Sequence, residues 1–347
     1  MDPLALSLGI SLSVAATVIP AVGWSALVWW CDRYEREPLA LGVGAFLWGA
    51  LPAVILSLIL ESLLGLRATP AGSALAGDLF VSGGVAPVVE EVAKGAGLLL
   101  ILLFWRVEFD NLLDGLIYGS LVGFGFGLTE NLLYFMVALL QDGWGVWGLT
   151  VFMRGVVFGL NHAFFTAFTG AGLGIARATP RRWLRRWAPW LGLATAVLFH
   201  ALHNVGVSLA AVSARGILLS LYTVFMGIGL VVVMIALAMR QELRWVREEL
   251  AEEVGPLLTE AEYRILSSRR GRTAMEAAAQ RAGDAAGAGH IRRFQQTAIE
   301  LAFRKRRLRY RGDDARLAAQ VTELRARLRQ ARVAVAPFIS PGPSQSA

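Results

Sequence analysis

The chain has 347 residues, 56% of them apolar and 17% charged, with a formal net charge of +7. A mean hydropathy of +0.55 excludes an ordinary soluble domain and points to a membrane protein. The single cysteine, Cys31, excludes an internal disulfide and leaves little basis for a thiol nucleophile or a cysteine-ligated metal.

A bilayer core about 30 Å thick needs about 20 apolar helical residues. Seven segments meet that length, near residues 7–30, 40–63, 80–105, 113–140, 148–176, 189–212 and 217–239. The first begins Met-Asp-Pro, without the basic stretch of a secretory signal, so it is expected to be retained as a span. Arg33 and Arg36 follow the first segment, five arginines from Arg177 to Arg186 follow the fifth, and Arg240, Arg244 and Arg247 follow the seventh. These ends are expected to be cytoplasmic, which places the N-terminus outside. Glycines at 119, 123, 125 and 127, and again at 155, 159, 170, 172 and 174, allow close helix approach in a compact bundle. The expected fold is therefore an all-α polytopic transmembrane bundle over residues 1–239.

From residue 240 the composition changes. Residues 240–347 hold 21 Lys and Arg against 13 Asp and Glu, so the basic character belongs to this tail. It reads as a cytoplasmic helical segment with a turn at Gly255-Pro256, a Gly/Ala-rich stretch near 282–289 and a disordered Pro/Ser-rich end from Pro337. Leu317, Val321, Leu324 and Leu328 follow a 4-3-4 spacing, with Asp313 and Asp314 placed to cap that helix. No nucleic-acid motif is present, and the sequence does not indicate an oligomeric state.

Ionisable residues in apolar segments mark the chemistry. Glu90 and Glu91, His162 and His200 lie near the middles of three segments, with Glu130 deep in a fourth. Such groups are costly in hydrocarbon and usually face a protein-lined cavity. The helical repeat sets Lys94 four residues from Glu90 and three from Glu91, within reach of both. Pro87 is placed to kink the turn before them. Glu130 is flanked by Thr129 and Asn131, which are able to hydrogen-bond it. His200 and Asn204 share one helix face, while His203 adjoins them and Arg154 is placed as a counter-ion. Carboxylates, imidazoles and an amide at one depth suit hydrolysis: a carboxylate takes a proton from water while hydrogen-bond donors stabilise the oxyanion. Each residue alone also suits a packing role, but packing needs only Ser, Thr and Gly. Glu91, His162 and His200 are candidate ligands for zinc, although no His-Glu-x-x-His helix is present and a metal-free glutamate mechanism would use the same residues.

Over roughly residues 80–210 the chain resembles the PrsW-type intramembrane proteases, themselves similar to the CAAX-processing and bacteriocin-processing glutamate protease superfamily. The resemblance rests on Glu90-Glu91 with Lys94, Phe158 with His162, and His200 with Asn204; the stretch Glu130-Asn131 with Tyr134 resembles the PrsW branch. The chain departs from the wider superfamily in having Lys94 where an Arg usually stands one position further on. The resemblance implies that Glu90 activates water with help from His162. It assigns His200 and Asn204 to the oxyanion, with Glu91 and Lys94 holding the geometry. Glu130, Asn131 and His203 are supporting residues. The implied substrate is a membrane-anchored protein such as an anti-sigma-factor-like regulator, cut in or beside the lipid bilayer.

Two other classes fit parts of the pattern. A transporter or ion pathway also uses intramembrane Glu and His, but no internal repeat is visible. An inactive scaffold with a regulatory basic tail would not need the intact Glu and His set.

Overall fold

The computed structural model describes residues 2–32, 34, 37–64, 74–281, 284–312 and 314–339. The described residues form helices and connecting turns without named strands. The proposed disorder from Pro337 falls largely on residues 340–347, and the proposed cap Asp313 is a single such position; both lie outside the described residues.

The first of two compact units covers Met1–Asp32 and Glu37–Ala236. It contains α1 (Pro3–Cys31), α2 (Leu39–Leu63), α3 (74–104), α4 (Leu112–Asp142), α5 (144–157), α6 (Asn161–Ala178) and α7 (Arg182–Ala210), and α8 (Ala214–Ala251) begins in it. Among the described residues, six helical segments are long and apolar enough to cross a membrane, counting α5 and α6 as one. The helix expected at 80–105 forms within α3, but three charged residues close together, Glu90, Glu91 and Lys94, set it apart from the six more apolar spans. The apolar segment expected at 148–176 is interrupted at Phe158–Leu160, so that Asn161 and His162 enter the first turn of α6.

Small residues decide how closely the helices approach. α4 and α6 make the most extensive pairing of the unit. A methyl group at Gly123 would collide with the backbone carbonyl of His162, and one at Gly119 with that of Thr166. Only glycine permits the two backbones to touch there, which brings the C-terminal half of α4 beside His162. The start of α4 is fixed by a capping box between Asn111 and Asp114. Bulky apolar side chains such as Ile19, Leu51 and Leu58 remain exposed on α1 and α2, as lipid-facing positions require.

Irregular helical turns carry structural meaning. Val81–Val85 of α3 is a π-helical turn ahead of Pro87. Proline has no N–H to return to the preceding turn, and the carbonyl of Ser82 instead accepts from Asn204 Nδ2 of α7 at 2.7 Å.

The second unit covers Leu237–Ala347 with Arg33–Arg36. Its core gathers Val246, Leu250, Leu266, Ile291, Phe294, Leu301 and Leu324. It comprises the end of α8, then α9 (Glu260–Leu266), α10 (Arg269–Arg281), α11 (Ala285–Arg311) and α12 (Ala315–Val335). Gly255, at φ 93°, makes the expected turn, and Leu317, Val321, Leu324 and Leu328 all lie buried along α12 behind the cap Asp314. Ala285 to Gly289 of the Gly/Ala-rich stretch belong to α11, whose start Asp284 caps through the backbone N–H of Gly287. Burial alone would raise the Glu253 carboxyl, but hydrogen bonds from Arg325 and Lys305 hold it below its ordinary value.

Candidate active site

Lys94 organises the centre. Its side chain is completely buried, and its ammonium donates to Glu91 Oε1 at 2.7 Å and Glu90 Oε2 at 3.3 Å. It also lies 3.1 Å from His162 Nδ1 and 3.9 Å from the centre of the Phe126 ring. An ammonium has three protons, and three acceptors receive them.

The two carboxylates differ in freedom. Glu91 is fully buried, with Oε1 shared by Lys94 and His200 Nδ1 (3.1 Å) and Oε2 accepting from Thr166 Oγ1 (3.0 Å). Glu90 receives Lys94 on Oε2, has His200 Nε2 3.8 Å from the same atom, and takes no hydrogen bond on Oε1 among the described residues. Glu91 is therefore locked, whereas Glu90 retains acceptor capacity.

The surrounding groups fix both imidazoles. A carboxylate only accepts, so the contact with Glu91 puts a proton on His200 Nδ1, while Nε2 stands 3.8 Å from Glu90 Oε2; Phe165 stacks on the ring at 4.5 Å. Lys94 only donates, so His162 accepts on Nδ1 and donates from Nε2 to Glu130 Oε2 at 2.6 Å. The two rings stand 5.3 Å apart and nearly perpendicular.

Ligand atoms of Glu90, His162 and His200 lie within 4.8 Å of one another. Two imidazoles with one carboxylate form a donor set suited to zinc. Each histidine also hands its second N–H to a carboxylate, Glu91 or Glu130, the outer-shell arrangement that orients metal-binding imidazoles. The residues present thus fit an ion. Glu90 stands where Glu91 was expected, because both oxygens of Glu91 are already taken. An ion bound there would take over two contacts that Lys94 makes, those to Glu90 and His162.

A cavity of about 350 Å³ reaches this cluster through both histidines; Glu130, Tyr134 and Arg154 line one part of it, with Val207 and Ile217 among its apolar walls. His203 also lines it, held between Asn161 Nδ2 (2.8 Å) and Ser220 Oγ (2.5 Å), with Phe158 edge-on against its ring. Asn161 Oδ1 is buried without a hydrogen-bond partner among the described residues. Asn204 lies on the cavity wall with its amide anchored to Ser82.

All the residues singled out from the sequence come to this region. Asn131 accepts from Arg154 Nε at 3.0 Å, and Arg154 Nη2 binds Glu130 Oε2 at 2.6 Å. Sequence reasoning missed Thr166 and Phe165, which hold Glu91 and His200, and Ser220, which holds His203. An ordinary Thr, Phe or Ser in an apolar helix carries no signal; only the ion-pair role of Arg154 was legible from its charge.

Residues 37–237 match the PrsW family of intramembrane metalloproteases. The chain is similar to Protease PrsW of Geobacillus kaustophilus strain HTA426, 28% identical over 194 residues that cover 55% of this chain and 77% of that protein. Protease PrsW of Bacillus subtilis strain 168 is 26% identical over 194 residues, 55% of this chain and 80% of that protein. Protease PrsW of Clostridioides difficile strain 630 is 38% identical over 103 residues, 30% of this chain and 42% of that protein. No solved structure matches the chain.

Proposed function

The chain belongs to the PrsW family of intramembrane proteases, and from that premise we propose that it hydrolyses a membrane-anchored protein at the cluster of Glu90, His162 and His200. The observation that carries this reading is the meeting of ligand atoms from those three side chains, on α3, α6 and α7, within 4.8 Å, beside a cavity of about 350 Å³ that His162 and His200 line.

Glu90 is the proton acceptor in this reading, because its carboxylate keeps an open oxygen while Glu91 is bound on both. Glu91 positions His200, and Lys94 balances the two carboxylates so that neither stands as an uncompensated charge. His200 and Asn204 line the cavity from α7, and in a metal-free mechanism the oxyanion role that the resemblance implies would use a proton on His200 Nε2 and the second N–H of the Asn204 amide, whose first is given to Ser82. A zinc ion held by Glu90, His162 and His200 would act as a Lewis acid and lower the pKa of water bound to it. Asn131 and His203 keep supporting roles, fixing Arg154 and Asn161 respectively.

The substrate class is a single-span protein, such as an anti-sigma-type regulator, with the cleaved segment drawn out of helical form into the cavity. The arginine-rich loop ends support a cytoplasmic second unit and an N-terminus outside. The test offers purified protein a panel of single-span substrates and compares wild type with Glu90→Gln, Glu91→Gln, His162→Ala and His200→Ala, each with and without a chelator. Loss of cleavage in the variants is expected. Cleavage that survives in all four removes the site from the reaction, and chelator sensitivity of the wild type separates metal-dependent from metal-free hydrolysis.

A further inference from the structure

We infer that Arg154 and Glu130 form a positioning relay that holds His162 as the Nε2–H tautomer and so keeps Nδ1 as its lone-pair nitrogen beside Lys94, in the cluster with Glu90 and His200. The inference rests on the proposed role of that cluster, but its geometry is separate.

Glu130 Oε2 is shared by two donors, His162 Nε2 and Arg154 Nη2, both at 2.6 Å. Arg154 comes from the π-helical turn Val151–Val157 at the end of α5, whereas Glu130 lies on α4. The guanidinium is itself held three ways: by Glu130, by Asn131 Oδ1 at 3.0 Å, and by the face of the Tyr134 ring 3.8 Å away. Glu130, Asn131 and Tyr134 sit at positions i, i+1 and i+4 of one helix, so a single stretch of α4 grips the whole side chain.

A neutral imidazole has two tautomers of similar energy, and its partners decide which nitrogen keeps a lone pair. Glu130 as acceptor requires the proton on Nε2, and Lys94 as donor requires the lone pair on Nδ1. The two demands agree. The His162 ring packs directly on α4 one turn before Glu130, where a Cβ at Gly127 would lie in ordinary van der Waals contact, 3.4 Å from His162 Cδ2. Without Arg154 the Glu130 carboxylate loses its fixed direction, and the tautomer and ring angle of His162 are then set by Lys94 alone.

The chain contains four histidines, so selective ¹⁵N-histidine labelling of the full-length protein in nanodiscs, assigned with His162→Gln, reads the tautomer directly. The wild type is expected to show His162 protonated on Nε2 only. Lys94 has Glu90 and Glu91 as alternative acceptors and so holds Nδ1 less firmly than Glu130 holds Nε2; Glu130→Ala is therefore expected to give a mixture of tautomers and to weaken Co²⁺ binding, titrated with the metal alone, by about 10–100-fold. Arg154→Met should move both readouts in the same direction by less, and Arg154→Lys should restore most of the effect. If Glu130→Ala fails to fold, Glu130→Gln serves, because a rotatable amide no longer demands a donor from the imidazole. A wild-type Nδ1–H tautomer, or variants that keep both the single tautomer and the Co²⁺ affinity, overturns the relay. Absence of Co²⁺ and Zn²⁺ binding by the wild type sinks the metal reading instead, while the tautomer measurement still judges the relay.

Discussion

Lys94→Met removes the cation that faces Glu90, Glu91 and His162 together. The lysine is fully buried, as is Glu91, with 2.7 Å between the charged atoms. Deleting one partner of a buried ion pair costs about 3–5 kcal/mol, because the other charge stays desolvated without compensation. Glu91 would keep only Thr166 and His200, and Glu90 would lose its 3.3 Å donor. The full range therefore applies to Lys94→Met. Methionine is nearly the same length, so packing against Phe126 survives and the loss is electrostatic. The double variant Lys94→Met/Glu91→Gln removes both charges at nearly constant volume and should recover at least half of the loss, since a neutral pair has far less desolvation to offset. Reversible unfolding in mixed micelles, followed by tryptophan fluorescence, measures all three proteins. A single variant within about 1 kcal/mol of wild type, or a double variant with additive losses, refutes the claim that these charges form one coupled buried unit.

Gly123→Ala should force α4 and α6 apart at the carbonyl of His162, with a loss of about 1–3 kcal/mol and of proteolysis, whereas Gly229→Ala, where nothing lies within 4 Å, should do neither; thermal unfolding and a cleavage assay compare them. Thr166→Val removes the donor to Glu91 Oε2 and should lower stability by about 1–3 kcal/mol and reduce turnover, and an unchanged turnover would show that Glu91 is held without it. Glu37, in the loop before α2, has its carboxyl pushed up to about 8 by burial, then opposed by the Tyr118 hydroxyl at 2.5 Å and raised further by Asp32 and Glu108. The folded state then keeps a proton that the unfolded chain has lost, so stability should fall by up to about 1.4 kcal/mol per pH unit from about pH 4.5 to about 8 and level off above. Glu37→Gln should flatten that slope in thermal scans taken across the range.

Much of the site was legible because ionisable residues in apolar helices are conspicuous. Glu90, Glu91 and Lys94 could be placed together from the helical repeat alone, and His162 and His200 from their depth. What separates Glu90 from Glu91 is Thr166, 75 residues further along, and no local pattern announces that contact. Asn204 shows the same limit. Its place on the face of His200 followed from spacing, but its tie to Ser82 depends on a carbonyl released by the π-helical turn before Pro87. The apolar run at 148–176 hid the break at Phe158–Leu160, since hydropathy averages over the three residues that leave the helix. In the second unit the 4-3-4 apolar positions and the Gly255 turn could be read directly, because each is a local signal with one structural consequence.

The broken helices and the buried charges have one cause. A backbone group freed inside lipid costs several kcal/mol, so irregular turns survive only where protein satisfies them or where they line a cavity. In this bundle the carbonyl of Ser82 accepts from Asn204, and that of Ala50, in the π-helical turn Gly49–Ala53, accepts from Thr129 at 2.6 Å. A third π-helical turn, Val151–Val157, delivers Arg154 to Glu130. Thr129 immediately precedes Glu130, and Asn204 lies one turn beyond His200, so the groups that repair the backbone are neighbours of those that hold the charges. Straight apolar helices would satisfy their own backbone and leave no polar side chains there to surround an imidazole. The π-helical turns of three helices thus gather donors and acceptors around the buried cluster, where in the proposed reaction a peptide bond withdrawn from its own helix would require partners.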